Sequence, residues 1–483
     1  MRLLPLILVL AIIPFAVPVS DGETLQLTDY QSPDGVYSYT TWGAGTDIQP
    51  YGSTVYGMAT DAEILYIQAA LEGFPTRIIE SLEGCGSERI VIPSTVDTVK
   101  AGAFDRCSAL KTLYFLGDRP DMILPDGIEV VRLEGTSRWG NESVLPLNVY
   151  KNEGSSFDYY VIDGKAVVRS LVGGTDIVIP SQTPDNIPFV SIGDCAFRDS
   201  KIKSIKMGEG LEEIGVRAFY GCWELTDIEY PSTLRTFRDE CFRDCLRLES
   251  ADFPNVGFIG FETFRECKAL PSAVIPDSVT VMHDGAFYLC RSAKTVTIGQ
   301  GITSIPPRCF GYCDSIVSIE LPEKVTGIGW SAFYSCISLE SIGLENVCVI
   351  GDDAFYGCYY LDAVGDLDSI TDIGKHAFSD CRSLETITLS DSLKSLGKEA
   401  FEGCRSLESI RFLGDMPEIG EFAIPSDTEV ICLSSNSKSW DSYDGKLTVE
   451  QTGEDSASDL PLVIVAAAII IVVALLTVKT RRP

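Results

Sequence analysis

Apolar and polar positions repeat along most of the chain in a unit of 22 or 23 residues. A phenylalanine marks each unit, usually with alanine before it and cysteine three residues after it. Between the marks runs a phrase of the form L-x-x-I-x-L-P, as in Ile316–Pro322. Its alternation predicts a short strand with one buried face, and the proline, which cannot donate to a ladder, ends the strand. Ten marks follow one another in the longest run: Phe197, Phe219, Phe242, Phe264, Phe287, Phe310, Phe333, Phe355, Phe378 and Phe401.

The A-F-x-x-C segment predicts one tight helical turn, because residues three apart share a face and Phe333 and Cys336 would then both point inward. A unit of this size cannot bury its apolar side without a stacked neighbour, so the period predicts a solenoid. The predicted fold is therefore β-rich, with short parallel strands and tight helical turns. Stacking would form a structural ladder of Phe219, Cys222, Phe287, Cys290, Phe333, Cys336, Phe355, Cys358, Phe378, Cys381, Phe401 and Cys404.

The repeat resembles that of the BspA-like leucine-rich repeat proteins, which carry the same A-F-x-x-C-x-x-L-x-x-I-x-L-P order. The resemblance covers about Ile90 to Trp440 and specifies a leucine-rich repeat solenoid. It implies a cell-surface or secreted protein that contacts other cells, matrix proteins or glycans, with no catalytic residues to carry over. Ser200 departs from the pattern by replacing the cysteine of the first unit, which is typical of a capping unit.

The repeat region contains two similar opening sequences and two similar closing sequences, which predict two solenoids in tandem. The openings are at Arg89 and Asp176, and each closing ends in a tryptophan, Trp139 or Trp440, that would cap the last coil. Asp163-Gly164 predicts the turn of a hairpin that covers the start of the long array. The predicted segments are a signal peptide (1–20), a β-rich entry region (21–88), a short repeat block (89–149), a linking hairpin or lid (150–175), a long solenoid (176–447), a polar spacer (448–459), a transmembrane helix (460–478) and a tail (479–483).

Both ends of the chain predict where the protein resides. Arg2 followed by the apolar run Leu3–Val19 is typical of a secretion signal. Leu460–Val478 lacks charge and would extend about 28 Å as a helix, close to the roughly 30 Å hydrocarbon core of a bilayer. Lys479, Arg481 and Arg482 follow it. The positive-inside preference then predicts a single-pass cell-membrane protein with extracellular repeats and a short cytoplasmic tail.

The charge is strongly acidic, with 69 Asp and Glu against 38 Lys and Arg and a net charge of −31. Such a surface repels nucleic acid and favours basic partner patches. We therefore predict no nucleic-acid partner.

Sixteen cysteines in a secreted chain would ordinarily suggest disulfides. Most of them, however, occupy the slot after the phenylalanine or the alanine slot before it, where a free cysteine acts as a small buried hydrophobe. A reduced buried ladder is the preferred interpretation, and scattered disulfides or metal binding are the alternatives. Cys85, Cys348 and Cys432 are interpreted as lying outside both slots, so a bridge would be sought there first.

Catalytic signals are weak. The two histidines, His283 and His376, precede their phenylalanine marks in positions that other units fill with ordinary polar residues. His376 with Cys381 could form a nucleophile pair, but Cys381 belongs to the packing column and no third group is indicated. No Gly-rich phosphate loop, CxxC pair or HExxH sequence occurs. We predict no catalytic residues, no cofactor and no metal.

The outward positions of the strand phrase form a hydroxyl-rich, mildly acidic surface. The predicted ligand-binding residues on this face are Ser318, Glu320, Ser341, Thr386, Thr388, Ser409 and Arg411. Serine and threonine also simply suit strands, so a purely structural role is the alternative. A second stripe, Tyr220, Tyr288, Tyr334 and Tyr356, would either stack on sugars or pack at the margin of the core.

Together these patterns predict a non-catalytic, membrane-anchored cell-surface protein for adhesion or recognition of extracellular proteins or glycans, including those of another cell. A structural cell-envelope protein that makes lateral contacts with its own copies is the second hypothesis, and an ectoenzyme is the third. The sequence does not determine whether the chain forms a homo-oligomer.

Overall fold

The computed structural model describes residues 29–31, 37–42, 52–58, 64–67, 69–71, 74–82, 85–253, 255–365 and 367–451. The chain divides into two units, Met1–Val130 with Ser137–Trp139 and Val131–Thr136 with Gly140–Pro483. Each unit is built of stacked coils joined by parallel strands, so the chain is a β-solenoid.

In the first unit, antiparallel strands lead into two rows of parallel ones. Gly52–Met58 pairs in parallel with Phe74–Ile79, and Ile64–Tyr66 pairs in parallel with Arg89–Ile92. Coil stacking therefore begins inside the predicted entry region. The strands are Asp29–Gln31, Tyr37–Trp42, Gly52–Met58, Ile64–Tyr66, Ala70–Leu71, Phe74–Ile79, Arg89–Ile92, Thr98–Val99 and Thr112–Phe115.

In the second unit each coil contributes to two rows of strands. The first strand file follows the L-x-x-I-x-L phrase: Asp176–Ile179, Ser204–Met207, Asp227–Glu229, Ser272–Ile275, Thr295–Ile298, Ser318–Ile319, Ser341–Ile342, Thr386–Leu389, Ser409–Phe412, Glu429–Leu433 and Leu447–Glu450. The second strand file precedes the phenylalanine: Phe189–Ile192, Glu213–Ile214, Thr236–Phe237, Phe258–Ile259, Val281–Met282, Ser304–Ile305, Gly327–Ile328, Val349–Ile350, Asp372–Ile373, Ser395–Leu396 and Glu418–Ile419. Only the first file is predicted by the alternation in the sequence.

The second unit opens on further strands. Glu129–Leu133, which enters this unit at Val131, pairs in parallel with Ser143–Leu145. Asn148–Asn152, Ser155–Ile162 and Lys165–Gly173 pair antiparallel. The last two join through Asp163 and Gly164, which both have a left-handed backbone (φ 55° and 67°) suited to a tight hairpin turn. Lys165–Gly173 then pairs with the first member of the second strand file.

The phenylalanine marks form a continuous buried column. Consecutive rings from Phe197 to Phe401 lie 5.1 to 5.8 Å apart between centroids, with interplanar angles of 5° to 15°. Each ring is at most 1% exposed. Burial of such a side chain contributes about 1.5–3 kcal/mol, so the column is a main source of stability.

The cysteine that follows each phenylalanine makes a specific contact. The Sγ of Cys336 donates to the carbonyl oxygen of Phe310 in the preceding coil at 3.1 Å, and the same oxygen accepts the N–H of Cys313 at 3.1 Å. The pattern recurs at 3.0 to 3.3 Å for Cys222, Cys245, Cys267, Cys290, Cys313, Cys358, Cys381 and Cys404. The thiol thus satisfies the second lone pair of a buried carbonyl, a role beyond that of a small hydrophobe.

All sixteen cysteines lie in the described part of the chain and are free thiols. Cys85 is in the ladder slot after all, because Leu82 takes the phenylalanine position. The N–H of Cys85 and the Sγ of Cys107 both donate to Leu82 O at 3.4 Å. Burial raises the pKa of the ladder thiols from Cys222 to Cys404, to about 12 for Cys358 and Cys404.

The prediction of tight helical turns is wrong. In the turn around Phe333, Ser331 and Ser335 both have a left-handed backbone with φ of 53°. The N–H groups of Ser331, Phe333 and Ser335 donate to the next coil, at 2.7 to 2.8 Å, instead of along a helix. A left-handed residue on each side of the phenylalanine prevents helical propagation. In the described part of the chain the only helical segment is the 3-10 helix Ser437–Trp440.

Glycine recurs at the corner between the second strand file and the phenylalanine turn. A Cβ on Gly351 would lie 2.6 Å from Trp330 N, and one on Gly397 would lie 2.4 Å from Gly374 C. The coils approach so closely there that most units exclude any side chain. The corner differs at His283 and Pro306, where the ladder between Val281–Met282 and Ser304–Ile305 is also interrupted.

A tryptophan covers the end of each repeat block. Trp139 lies 4.9 Å from Phe115 between ring centroids and donates its Nε1 to Gly117 O at 3.2 Å. Trp440 lies 4.6 Å from Phe412 and is fully buried. These contacts close the apolar edge of the last coil in each block.

The structure corrects the prediction of a C-terminal transmembrane helix, and with it the prediction of a single-pass membrane localisation. Among the described residues no helix is long and apolar enough to cross a bilayer. The signal peptide (1–20), most of the spacer (452–459), the predicted helix (460–478) and the tail (479–483) lie outside the described residues. The first residues assigned to the spacer belong to the strand Leu447–Glu450.

Candidate ligand-binding surface

The first strand file presents the candidate surface because its residues alternate between the core and the outside. In Thr386–Leu389, Ile387 and Leu389 are buried while Thr386 and Thr388 are exposed. Parallel pairing in register aligns the outward residues of successive coils. The surface therefore consists of columns of side chains that run along the solenoid.

The predicted residues fall into two patches. In the first, Ser318 pairs with Ser341, and exposed Glu320 follows the strand Ser318–Ile319. In the second, Thr386 pairs with Ser409 and Thr388 with Arg411. Among the described residues between the patches, the file continues only through isolated bridges, Ser341 to Ala363 and Leu367 to Leu389.

The hydroxyl groups of this face are available to a ligand. Ser318, Thr386 and Thr388 are exposed and Ser341 and Ser409 are half-buried. Within the ranges that the structure describes, none of the five hydroxyls hydrogen-bonds to another protein group.

Arg411 is already engaged. Its guanidinium binds the carboxylate of Glu450 at 2.7 Å, on the last described strand. Sequence reasoning missed this pair because Glu450 lies in the segment interpreted as a spacer. Arg411 is therefore less accessible to a ligand than its outward position suggests.

An acidic column lies immediately before the hydroxyl positions and was missed by sequence reasoning. Glu340, Asp362, Glu385 and Glu408 are all exposed. Within the described part of the chain none of them forms an ion pair. Three of them directly precede Ser341, Thr386 and Ser409. Stacked like charges of this kind raise the local concentration of cationic groups and steer basic partners.

The tyrosines form a second column that includes Tyr312 in addition to the predicted residues. Ring centroids are 5.6 Å apart from Tyr288 to Tyr312, 5.3 Å from Tyr312 to Tyr334 and 5.0 Å from Tyr334 to Tyr356. The last two rings are stacked with an interplanar angle of 7°. These faces cover one another, which favours packing at the core margin over stacking on sugars.

Tyr220 stands apart from this column among arginines. The guanidinium carbons of Arg198, Arg217 and Arg243 lie 5.1 to 5.9 Å from its ring centroid. Contacts of this geometry are cation–π interactions. The predicted tyrosine stripe is thus two separate environments.

His376 is held between two carboxylates from neighbouring coils. Its Nδ1 lies 3.2 Å from Asp353 Oδ1 and its Nε2 lies 2.6 Å from Glu399 Oε2. The hydrogen bond from His376 lowers the pKa of Glu399, while burial raises the pKa of Asp353. Cys381 donates instead to Phe355 O at 3.3 Å, so the structure does not bring the histidine and this cysteine together as a nucleophile pair.

In the ranges that the structure describes, no group of three or more His, Cys, Asp or Glu side chains could hold a metal ion. The candidate surface is therefore the outward face of the first strand file, with its unbonded hydroxyls and unpaired carboxylates on stacked strands. It is suited to binding by many weak polar contacts.

Stacked 22–23-residue coils, each with parallel strands and an inward phenylalanine, define a leucine-rich repeat solenoid. The model of the BspA type leucine rich repeat region matches six copies over residues 79–118, 175–256, 245–362 and 349–443. These ranges exceed half of the chain, so the chain belongs to the BspA-type leucine-rich repeat family, which confirms the resemblance of the sequence motif.

Several solved structures are similar to this chain. A leucine-rich cell surface protein from Faecalibacterium prausnitzii is 25% identical over 64% of this chain and 96% of that chain, with a TM-score of 0.42. A leucine-rich repeat protein from Bacteroides ovatus is 24% identical over 64% and 98% of the respective chains, with a TM-score of 0.31. The pneumococcal vaccine antigen PcpA is 15% identical over 89% and 100%, with a TM-score of 0.35. These TM-scores are below 0.5, so the likenesses carry no argument about function. No curated protein matches the chain.

Proposed function

We propose that this protein is a non-catalytic recognition protein that binds extracellular proteins or glycans through the outward face of its first strand file. The observation that carries the proposal is the row of unbonded hydroxyls beside an exposed acidic column. A ligand that follows this face would gain many hydrogen bonds from groups that are not engaged elsewhere.

The acidic column narrows the kind of partner. A chain with a net charge of −31 attracts basic surfaces at long range, and Glu340, Asp362, Glu385 and Glu408 concentrate that field beside the hydroxyls. A basic protein segment in an extended conformation fits both features. A neutral glycan could use the hydroxyls alone.

Binding of the purified chain to arrays of matrix proteins and glycans tests the proposal. The triple variant Ser318→Lys, Ser341→Lys, Thr386→Lys places three cations on the face and is expected to lose binding to basic partners. The control Ser304→Lys, Thr326→Lys, Ser392→Lys adds the same charge beside the second strand file, where all three residues are exposed. Equal binding by both variants would locate the site elsewhere.

A second candidate function is lateral self-association in a cell envelope. The strand Leu447–Glu450 ends its sheet, and within the described residues its outer edge has no partner strand. Val449 is 43% exposed there. Open strand edges favour pairing with another chain. Sedimentation of the purified chain discriminates the two functions, since the recognition protein is expected to stay monomeric and the envelope protein to associate as its concentration rises.

A further inference from the structure

A row of arginines follows the turns of the second unit, and the first members are all neutralised. Arg217 binds Glu240, Arg243 binds both Glu240 and Glu262 at 2.8 to 2.9 Å, and Arg265 binds Glu262 at 2.8 Å. The two glutamates have side chains only 2% and 3% exposed. Each buried carboxylate is thus shared by two arginines, as the cost of burying an unpaired charge requires.

Arg308 stands two residues before its phenylalanine, as Arg217 does, but has no carboxylate beside it. The equivalent positions in the coils before and after it are Gly285 and Ser331, whereas the coil after Arg217 supplies Glu240 at that position. In the part of the chain that the structure describes, the Arg308 side chain forms no ion pair or hydrogen bond, and its Nε is buried without a partner. The Nε atoms of Arg243 and Arg265 are likewise buried without a hydrogen-bond partner, but their terminal nitrogens bind carboxylates. The half-buried Arg308 guanidinium has no such counter-charge, which leaves it available to an anionic ligand.

Aromatic rings hold the Arg308 guanidinium in place. Its central carbon lies 4.9 Å from the Trp330 ring centroid and 5.7 Å from that of Phe261. The N–H of Arg308 donates to Trp330 O at 2.9 Å, which fixes the backbone beneath the side chain. Trp330 is 37% exposed, so the group lies at the surface of the corner. A guanidinium restrained by two rings is preorganised for planar anions.

This corner also departs from the repeat. Pro306 and Pro307 replace the usual glycine and its neighbour, and Trp330 occupies a position that is aspartate or lysine in the units that follow. The departures coincide with the break in the second strand file before Ser304–Ile305. Residues that only packed the coils would be expected to keep the repeat pattern.

We propose that Arg308, Trp330 and Phe261 form a binding site for a carboxylate carried on a sugar ring, that is, for an acidic monosaccharide unit of a glycan. The guanidinium donates two N–H groups to the carboxylate oxygens, and the aromatic side chains contact the apolar C–H groups of the ring. This site lies apart from the hydroxyl face and does not depend on the function proposed for that face.

The overall charge favours a sugar acid over an acidic peptide. A polypeptide with several carboxylates would be repelled by a protein with a net charge of −31. A single carboxylate on an otherwise neutral ring brings one negative charge to one unpaired cation. Binding is therefore expected to weaken as salt is added, because the contact is an ion pair.

Saturation-transfer NMR and calorimetry of the full chain with glucuronate and N-acetylneuraminate test the site, with glucose, acetate and a penta-glutamate peptide as comparison ligands. The two sugar acids are expected to bind, glucose and acetate to bind at least about tenfold more weakly, and Arg308→Gln to lose at least about tenfold in affinity. Trp330→Leu, which keeps the cation, is expected to reduce binding of the sugar acids but not of acetate.

Arg247→Gln is the matched control, because Arg247 is an exposed arginine of the same array. It should bind as the native chain does, and circular dichroism should show all variants folded. Equal affinity for glucose and glucuronate, unchanged binding by Arg308→Gln, or an equal loss in Arg247→Gln would each overturn the proposal. Arg308-dependent binding of the glutamate peptide without binding of the sugar acids would overturn it too, in favour of an acidic protein partner.

Discussion

The glycine corner gives a quantitative test of the stacking. In Gly397→Ala the new Cβ would lie 2.4 Å from Gly374 C and 2.5 Å from Lys375 N. Both contacts are backbone atoms of the preceding coil, so no side-chain rotation can relieve them. The same two coils are joined by the hydrogen bond from Gly397 N–H to Ile373 O at 2.7 Å, which would have to lengthen.

The magnitude follows from two opposing effects. Overpacking a rigid site costs about 1–3 kcal/mol. Replacing glycine by alanine also restricts the unfolded chain, which stabilises the fold by about 0.4–1 kcal/mol. The free energy of unfolding of Gly397→Ala is therefore expected to fall by about 1–2 kcal/mol.

Gly327→Ala is the control. A Cβ there meets only Ser304 Cβ, at 3.7 Å, which is an ordinary contact, and Gly327 is not left-handed. This variant is expected to match or slightly exceed the native stability. Urea unfolding followed by circular dichroism measures both variants, and equal midpoints for Gly397→Ala and Gly327→Ala would refute the close-approach argument.

Three further predictions concern titratable and thiol groups. Thiol reagents are expected to label the ladder cysteines from Cys222 to Cys404 only after denaturation, and without reductant, because burial shields these thiols and raises their pKa; labelling that still requires reductant would indicate disulfides. Cys336→Ala removes the thiol donor to Phe310 O and is expected to cost about 1–2 kcal/mol in urea unfolding, with a smaller loss in Cys336→Ser, which keeps a donor. Burial raises the pKa of Asp194 from 3.8 to about 6, so the folded chain has to ionise a buried carboxyl as the pH rises through that range, and its stability falls. Asp194→Asn should therefore gain stability over the native chain between about pH 4 and about pH 7. A stability difference that does not change with pH would contradict this.

The strand that faces the candidate ligand was predictable from alternation alone, because burial of every second residue leaves a direct trace in the sequence. Ile319 and Glu320 carry that trace, and the phenylalanine period carries the stacking. The acidic column was less visible, since Glu340 and its equivalents precede the strands and join only when the coils are in register.

The turns could not be predicted in the same way. Left-handed backbone at serine, as at Ser331 and Ser335, is uncommon and leaves no mark comparable to glycine. Their N–H groups bond to the next coil, so the conformation depends on a neighbour that local propensity does not include. Cys85 was misassigned for a related reason, because leucine had replaced the phenylalanine that defines its slot.

The thiol ladder has a consequence for how this chain reaches its final state. Each sulfur is shielded only after the adjoining coil has docked against it, so a nascent polypeptide would expose all of its cysteines to chemical attack before any of them is protected. A protein of this design must therefore fold faster than oxidants cross-link its thiols. In an oxidising compartment the yield of native protein would depend on the ratio of these two rates.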